Sequence, residues 1–560
     1  MLSTYTYPKF AYRRPAELDR AGAVDRHPVI VVGAGPIGLA AAIDLAQQGQ
    51  RVLLLDDDDT VSVGSRGLCY AKRALEVLDR LGCGDPVVDK GVTWNVGRTF
   101  FGNDEVFRFN LLPDEDHHRP GMVNLQQYYL EEFLVRRAEQ LPNLELRWKH
   151  KVTAVAPDGR GARLQVETAD GAYALDTDWL VVADGARSPI RRLLGLDIDG
   201  KVFQDRFLIA DVVMKADFPA ERWFWFDPPF HPGQSVLLHR EADNVWRIDF
   251  QLGWDADPEE EKKPERVTPR IRAMLGPQHE FDLEWVSVYT FQCRRMQRFR
   301  HGRVLFVGDA AHQVSPFGAR GANSGLQDTD NLAWKLLLVM RGLAPESLLD
   351  SYSDERVAAA DENLMNSTRS TDFITPKSEV SKDFRNAVLT LAREHGFARG
   401  LVNSGRLSVP AHLGRSALNT PDADAFAGTM GPGAPLVDAP VRCEGRNGWL
   451  LGHTGDAFVL LLFARSPGDV DAATLAALRA LADAPIAVQA RLVVGEDDAG
   501  AATPAGCRVL LDTKGLAAAR LDAQPGTAYL LRPDQHVAAR WRRFDAARVR
   551  AAVARATCNA

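Results

Sequence analysis

Val29-Ile30-Val31-Val32-Gly33-Ala34-Gly35-Pro36-Ile37-Gly38 is the stretch that decides the fold of this chain. The β-branched run reads as a buried strand, the glycines as a tight turn, and Leu39 to Gln48 as the helix that the turn opens. Gly33 suits the turn itself, Gly35 lets backbone N–H groups approach a pyrophosphate, and Gly38 allows helix and strand to pack closely. A second strand, Val52-Leu53-Leu54-Leu55, ends at Asp56, roughly twenty residues past the glycines, where a carboxylate is expected to grip ribose hydroxyls. Strand, turn, helix, strand and acid follow in the order of a dinucleotide-binding βαβ unit. The motif alone does not separate NAD from FAD.

Far along the chain, Gly302-Arg303-Val304-Leu305-Phe306-Val307-Gly308-Asp309-Ala310-Ala311-His312 leads into Ser315-Pro316-Phe317-Gly318-Ala319-Arg320-Gly321-Ala322-Asn323-Ser324-Gly325. This predicts a buried strand over Val304 to Val307, an acidic turn, and a glycine-rich bend opening a helix from about Asn323 to Met340. Leu326, Leu332, Leu336 and Val339 give that helix its apolar stripe. The two stretches together point to FAD. His312 is expected to be structural, since a flavin rather than an imidazole would carry the chemistry.

A third element is Trp179-Leu180-Val181-Val182-Ala183-Asp184-Gly185-Ala186-Arg187-Ser188, followed by Arg191. In this order and spacing the three elements resemble the single-component (class A) flavoprotein aromatic hydroxylases, the para-hydroxybenzoate hydroxylase superfamily. The resemblance implies that Asp184 and Gly185 lie at the FAD pyrophosphate region and bear on nicotinamide use. It implies that Asp309, after Gly308, holds the ribityl chain, that Pro316 lies beside the isoalloxazine, and that Gly321, Ala322 and Asn323 start a helix near the pyrimidine end. Ser65-Arg66-Gly67 is similar to the family's arginine-bearing loop near the ribose and diphosphate, and Leu125-Gln126-Gln127 to its glutamine-bearing helix start on the cofactor. Within the family the likeness is nearest to 3-(3-hydroxyphenyl)propionate hydroxylase-like enzymes, given Ser315-Pro316-Phe317 and Asn323-Ser324-Gly325. Phe317-Gly318-Ala319-Arg320 departs from the Phe-Ala-Gly-Gln expected there and places an arginine near the flavin edge.

The expected fold class is α/β: a Rossmann-like FAD-binding domain interleaved with a β-sheet substrate domain, plus a C-terminal thioredoxin-like domain. The boundaries read as an N-terminal extension over 1–26, an FAD domain over 27–196 and 298–366, a substrate sheet over 197–297, a helical connection over 367–427 and the tail over 428–556. Val202 to Lys215, Trp223 to Phe226, Gln234 to Arg240, Val245 to Leu252 and Phe281 to Phe291 alternate apolar with polar residues and supply the sheet. The tail opens after Gly428-Thr429-Met430-Gly431-Pro432-Gly433-Ala434-Pro435, with strands over Phe458 to Phe463 and Ile486 to Val494 around a helix over Ala472 to Ala482. Tyr529-Leu530-Leu531-Arg532-Pro533-Asp534, with Val537 and Trp541, resembles the closing strands of the thioredoxin-like domain of larger family members. It lacks the two cysteines of a working thioredoxin, so the tail is expected to be structural or to form a homodimer.

A chain of 560 residues, 46% of them hydrophobic, can bury several cores, and its formal charge of −7 without basic blocks argues against nucleic acid as a partner. Residues 1–27 lack the apolar core of a signal peptide, and Phe458 to Ala464, the longest apolar run, is strand-sized rather than membrane-spanning. The six scattered cysteines suit a reducing cytoplasm and offer no metal site. A cytoplasmic enzyme without a metal is therefore expected.

The chemistry implied by the resemblance is reduction of FAD by NADH or NADPH, formation of a flavin C4a-hydroperoxide with O2, and hydroxylation of a phenolic aromatic substrate. No second nicotinamide-binding motif is present, so the donor is expected to visit transiently and its identity stays open. The protein must orient the ring, exclude water and help deprotonate the phenol. Candidates for that last task are His239 and Arg240 on one strand, Arg247 and Asp249 on its partner, and Tyr289 on the last strand of the sheet. In the family this strand pair carries an arginine for a substrate carboxylate, which suggests Arg240. Trp223-Phe224-Trp225-Phe226-Asp227-Pro228 resembles the Trp-x-Trp-x-Ile-Pro signature of flavin-dependent halogenases, without its isoleucine and with Arg222 before it. Halogenation, epoxidation, Baeyer–Villiger oxidation and a non-catalytic flavin-binding role are the alternatives.

Overall fold

The structure, a computed structural model, describes residues 4–20, 24–405, 407–496 and 507–560. Its chain forms two compact units, one of Met1–Pro113, Pro120–Gln327 and Ala360–Val409, the other of Asp114–Arg119, Asp328–Ala359 and Pro410–Ala560.

In the first unit, strand Asp25–Val32 lies between Val52–Asp56 and Gly171–Val182, parallel to both, with Val29 facing Val52 on one side and Trp179 on the other. Gly171–Val182 in turn takes Val304–Phe306 in parallel, Leu180 against Val304. All three motifs therefore end at the same edge of one sheet, though they are far apart in sequence. Parallel strands covered on both faces need continuous apolar runs, and Val29, Ile30, Val31, Leu53, Leu54, Leu180 and Val181 are buried accordingly.

The second sheet of this unit has eight strands in the order His312–Gln313, Asp282–Arg295, Asp199–Val213, Val245–Leu252, Ser235–Arg240, Arg222–Phe226, Val96–Phe101, Asp104–Asn110. Five of these strands, from Asp282–Arg295 to Arg222–Phe226 in that order, match the sequence expectation to within a few residues. The last two come from the segment assigned to the FAD domain: Val96–Phe101 pairs Arg222–Phe226 in parallel, Phe224 against Thr99, and Asp104–Asn110 pairs Val96–Phe101 antiparallel. One face of the sheet, with Leu208, Ala210, Val236, Leu238, Trp246 and Ile248, packs on Val267, Ile271 and Leu275 of the helix Pro264–Leu275. This closes a core and leaves the other face to the site.

Residues of the expected N-terminal extension belong to this unit: Tyr5 stacks on Tyr128 at 4.2 Å, and Phe10 on Trp148 at 4.4 Å. The first thirteen residues thus hold two aromatic anchors that composition alone did not reveal as packed.

The second unit is built on a seven-stranded mixed sheet in the order Arg446–Trp449, Pro440–Cys443, Arg508–Asp512, Val488–Gly495, Phe458–Phe463, Ala528–Leu531, Val537–Trp541. Residues 328–359 make their contacts with this sheet. Trp334 and Leu348 join its core with Phe458, Leu460 and Leu478. Arg532 Nη1 meets Glu355 Oε1 at 2.7 Å, and Lys335 Nζ meets Glu355 Oε2 at 2.7 Å, all of them buried. Charges enclosed in this way must pair with one another, which ties the segment to the tail. The helix Gly321–Met340 begins two residues before its expected start and crosses from the first unit into the second. No helix of the described residues is long and apolar enough to cross a membrane.

Candidate active site

The glycine turn is closed toward the sheet and open outward. Gly33 has φ +107°, and a Cβ there would stand 2.4 Å from the carbonyl oxygen of Ala183; a Cβ on Gly38 would stand 1.8 Å from that of Gly33. Nothing lies within 4 Å of a Cβ built on Gly35, so an anion can approach the N-terminus of the helix Pro36–Gln47 from that side. Asp56 is tied into the same turn, accepting from the N–H of Ala34 through one oxygen and from Asp58 N at 2.8 Å through the other. Burial raises its pKa, and these two N–H groups oppose the rise.

The other motifs meet this turn. Cβ atoms built on Gly308 and Gly325 would come within 3.0 Å and 2.7 Å of Ile37, the residue after the turn's proline. Arg191 donates to the Ala310 carbonyl at 2.6 Å and to that of Ala186 at 3.1 Å, clamping the Asp184-Gly185 turn onto the Gly308–Ala310 turn. Asp184 accepts from Ile190 N at 3.0 Å through Oδ2, while its buried Oδ1 has no hydrogen-bond partner among the described residues. Gly185, at φ +79°, has open space where a Cβ would be. Gln126, at the start of the helix Gln127–Ala138, donates to the Ala242 carbonyl at 3.2 Å, and its buried Oε1 is also unpartnered.

Asp309 is exposed at the mouth of this arrangement, and a Cβ on Gly321, at the start of the next helix, would be 3.9 Å from its Oδ1. Pro316 is exposed, Gly321 and Ala322 are half-buried. Asn323 is buried and accepts from Ala71 N at 2.7 Å while donating to the Cys69 carbonyl at 2.8 Å. Open backbone at two glycines, the orphaned Asp184 Oδ1 and the exposed Asp309 carboxylate at one sheet edge fit a dinucleotide such as FAD. Arg66 is exposed on a loop whose neighbour Ser65 is buried and bonded to Arg247 and Asp211. Arg320, expected near the flavin edge, is buried, donating to Asn363 Oδ1 at 2.6 Å and to the Leu407 carbonyl at 3.3 Å. His312 is buried and stacked on Phe299 at 5.5 Å.

The face of the second sheet opposite the helix Pro264–Leu275, covered in part by Phe317, Ile374, Leu389 and Ala392, carries a cross-strand row and its neighbours. Antiparallel register sets His239 against Arg247, Arg247 against Asp211, and Asp211 against Trp285, and brings Arg222 into line with His239. The next row holds Phe224, Leu237, Asp249, Ile209 and Ser287, and the one after it Phe226, Phe207 and Tyr289. His239, Arg247, Asp249 and Tyr289 therefore share a face. Arg240 does not: alternation turns it to the other side, over the Trp246 ring at 5.6 Å. The arginines on the site face are Arg222 and Arg247.

Electrostatics distinguish these groups. Burial, with Arg222 and Arg247 nearby, pushes His239 well below its usual range, so it is a neutral imidazole; its Nδ1 is 3.4 Å from Asn124 Nδ2. Arg247 is paired with Asp211 at 2.9 Å and Glu241 at 3.4 Å. Burial pushes Asp249 up to about 7, with Arg247 and Arg222 opposing and Asp211 assisting, and its Oδ1 is enclosed without a partner among the described residues. A carboxyl poised near neutral pH is suited to taking up a proton. Tyr289 is 40% exposed, stacked on Phe291 at 6.0 Å, and desolvation with the Asp309 charge nearby raises its hydroxyl. Cys69, half-buried, is pushed up to about 12 by burial and stays a thiol.

Sequence reasoning missed Arg222, Asp211, Glu241, Asn124 and Cys69. Arg222 was visible only as the residue preceding an aromatic strand, and Asp211 and Glu241 only as acids on or beside strands. Their meeting depends on register across five strands.

Residues 26–367 match the FAD binding domain family, and residues 433–556 the HcaD C-terminal domain. The chain is 32% identical to 6-methylpretetramide 4-monooxygenase of Streptomyces rimosus over 93% of its own length and 91% of that protein's. It is 29% identical to the 3-(3-hydroxy-phenyl)propionate/3-hydroxycinnamic acid hydroxylase of Mycolicibacterium smegmatis, over 60% of this chain and 59% of that one, so it spans about three fifths of that relative's length. Among solved structures, the flavin-dependent monooxygenase PieE in complex with FAD and substrate superposes with a TM-score of 0.79 over 96% of this chain and 100% of that chain, at 24% identity. The FAD-binding-domain match over more than half of the chain and the end-to-end similarity establish that this chain belongs to the class A flavoprotein hydroxylase superfamily.

Proposed function

We propose that the protein is an FAD-dependent monooxygenase that hydroxylates a phenolic aromatic substrate, using NADH or NADPH and O2. The observation that carries this reading is Asp249: a half-buried carboxyl poised near neutrality, its enclosed Oδ1 without a partner among the described residues, on an aromatic-rich sheet face. We assign residues 27–196 and 298–366 to the cofactor, with Gly33, Gly35, Gly38, Asp56, Arg66, Gln126, Asp184, Gly185, Gly308, Asp309, Pro316, Gly321, Ala322 and Asn323 holding it, and the sheet of 197–297 to the substrate.

Bound and reduced, FAD supplies the oxygen-activating chemistry that no side chain here could provide. The chain's own contribution is positional and protonic. Asp249 Oδ1 accepts the phenol proton, which makes the ring electron-rich at the positions ortho and para to its oxygen. Phe207, Phe224, Phe226, Phe291 and Phe317 form an apolar cluster that excludes water from the ring's surroundings. Neutral His239, fixed by Asn124, offers a hydrogen bond without competing for the proton.

The relatives named for small phenols and for 6-methylpretetramide differ in substrate size, and both kinds are compatible with this proton-accepting face. The test is NADH and NADPH oxidation by the purified, flavin-loaded protein with a panel of phenols, phenolic acids and polycyclic phenols. Stimulated oxidation giving a product one oxygen atom heavier supports the reading. Stimulated oxidation giving a halogenated product only with added chloride or bromide would replace it.

A further inference from the structure

The loop that carries Arg66 is fastened on both sides of it. Ser62 Oγ donates to Glu131 Oε1 at 2.8 Å, Ser65 is bonded to Arg247 and Asp211, and Gly67 N donates to Gln127 Oε1 at 2.9 Å. Gly64 N donates to the Tyr7 hydroxyl at 2.9 Å, and the Gly64 carbonyl accepts from Arg66 N at 3.0 Å. Glu131 and Gln127 lie on the helix Gln127–Ala138, and Asp211 and Arg247 on the second sheet; of these partners only Tyr7 comes from the N-terminal segment. Arg66 itself is exposed.

The N-terminal segment is strapped to its surroundings on either side of Tyr7. Thr4 N donates to Glu284 Oε1 at 3.0 Å, and a bulge in strand Asp282–Arg295, where Asp211 pairs Trp285 but Val212 pairs Leu283, leaves Glu284 out of the ladder for this contact. The Tyr7 ring meets Tyr128 edge-on at 5.5 Å. Beyond it, the Pro8 carbonyl accepts from Thr60 Oγ1 at 2.7 Å, and Phe10 N donates to the Asp59 carbonyl at 2.7 Å. The Tyr7 oxygen is thus held in place to receive Gly64. That residue has φ +76°, and a Cβ on it would stand 2.3 Å from the Trp285 ring, so glycine is required there. A glycine does little to fix its own backbone angles, and a buried N–H that loses its acceptor is driven to turn toward another.

We propose that Tyr7 is a positioning residue for the cofactor: through Gly64 its hydroxyl fixes the backbone from which Arg66 projects, and so holds the Arg66 guanidinium where it meets an anionic oxygen of the flavin dinucleotide. This rests on the assignment of Arg66 to FAD made above. A forked, charge-assisted hydrogen bond depends on geometry as well as charge, so a shift of the loop weakens it even though the arginine remains. A residue 57 positions before the loop thereby contributes to cofactor retention without touching the cofactor.

The test is a double-mutant cycle read as FAD affinity, by fluorescence titration of the full-length chain stripped of flavin, with thermal melts of the flavin-free forms beside it. Tyr7→Phe keeps the ring against Tyr128 and removes one acceptor; it is expected to weaken FAD binding about three- to tenfold, the scale of one hydrogen bond, with the flavin-free melt little changed. Arg66→Met, at an exposed position, is expected to weaken it about tenfold or more. In the double variant Tyr7→Phe is expected to add less than about twofold, because its effect runs through Arg66. Tyr5→Phe, which deletes the 2.8 Å hydrogen bond to Glu132 from the same segment and leaves Gly64 alone, is expected to stay within about twofold of the parent. FAD affinity unmoved by Tyr7→Phe, or a Tyr7→Phe effect of equal size with and without Arg66, overturns the proposal. So does an Arg66→Met variant that binds FAD as the parent does. These outcomes leave the flavoprotein reading standing. A cycle that closes as expected, in a protein that never couples NAD(P)H oxidation to an oxygenated product, would sink the monooxygenase reading alone.

Discussion

Replacing Asp249 with asparagine separates its proton from its shape. Asp249 sits at about 7 rather than its ordinary 3.8 because burial disfavours the charge. The folded protein therefore keeps a proton on this carboxyl between about pH 4 and 7, while the unfolded chain gives it up. The stabilisation that this protonation represents is complete below about pH 4 and is lost as pH rises through about 7. At roughly 1.4 kcal/mol per unit, the loss amounts to ~4 kcal/mol as an upper bound. The amide of the variant would not titrate, so thermal melts of Asp249→Asn and the parent, both flavin-loaded, should diverge in the variant's favour from pH 4 to 7 and stay parallel above it. Activity should move the other way. Parental kcat/KM for a phenol should rise with pH through about 7, and the variant should lose that limb together with ~100-fold or more of the rate, the ordinary worth of a positioned base. A melting difference that is flat with pH would refute the buried, proton-retaining carboxyl. A retained pH limb would refute its role as base.

Gly38→Ala forces a Cβ to within 1.8 Å of the Gly33 carbonyl, and because backbone cannot yield at that point the variant should purify without flavin absorbance near 450 nm. Arg247→Met strips the counter-charge from buried Asp211 and Glu241 and should cost about 3–5 kcal/mol in denaturant unfolding. Arg532→Met does the same to Glu355 and Asp534 in the second unit, at a similar ~3–5 kcal/mol, and should leave flavin content per folded molecule unchanged.

Periodicity and turn chemistry made the cofactor half legible. Strands such as Val29 to Val32 and Val304 to Val307 are apolar throughout because both faces are covered, and the glycines at Gly33 and Gly38 are required by contacts of under 2.5 Å. Such constraints act over a few residues and leave a local mark. The substrate face was legible as strands but not as a site. Alternation alone puts His239 and Arg240 on opposite faces, yet nothing in the sequence says which face is open. The helix Pro264–Leu275 decides this by covering Trp246 and its neighbours. Arg222 joins the site through a strand whose partner, Val96–Phe101, comes from a different part of the chain. The pairing of Lys335 with Glu355, and of Glu355 with Arg532 177 residues further on, left no mark in the sequence.

Insertion of an oxygen atom from O2 into a phenolic ring, the reaction proposed for this chain, is read out by isotopic labelling. Turnover of a stimulating phenol under 18O2 in ordinary water should yield a product carrying one labelled oxygen. Label arriving from water instead, or NAD(P)H consumed with hydrogen peroxide as the sole oxygen-derived product across the panel, would contradict it.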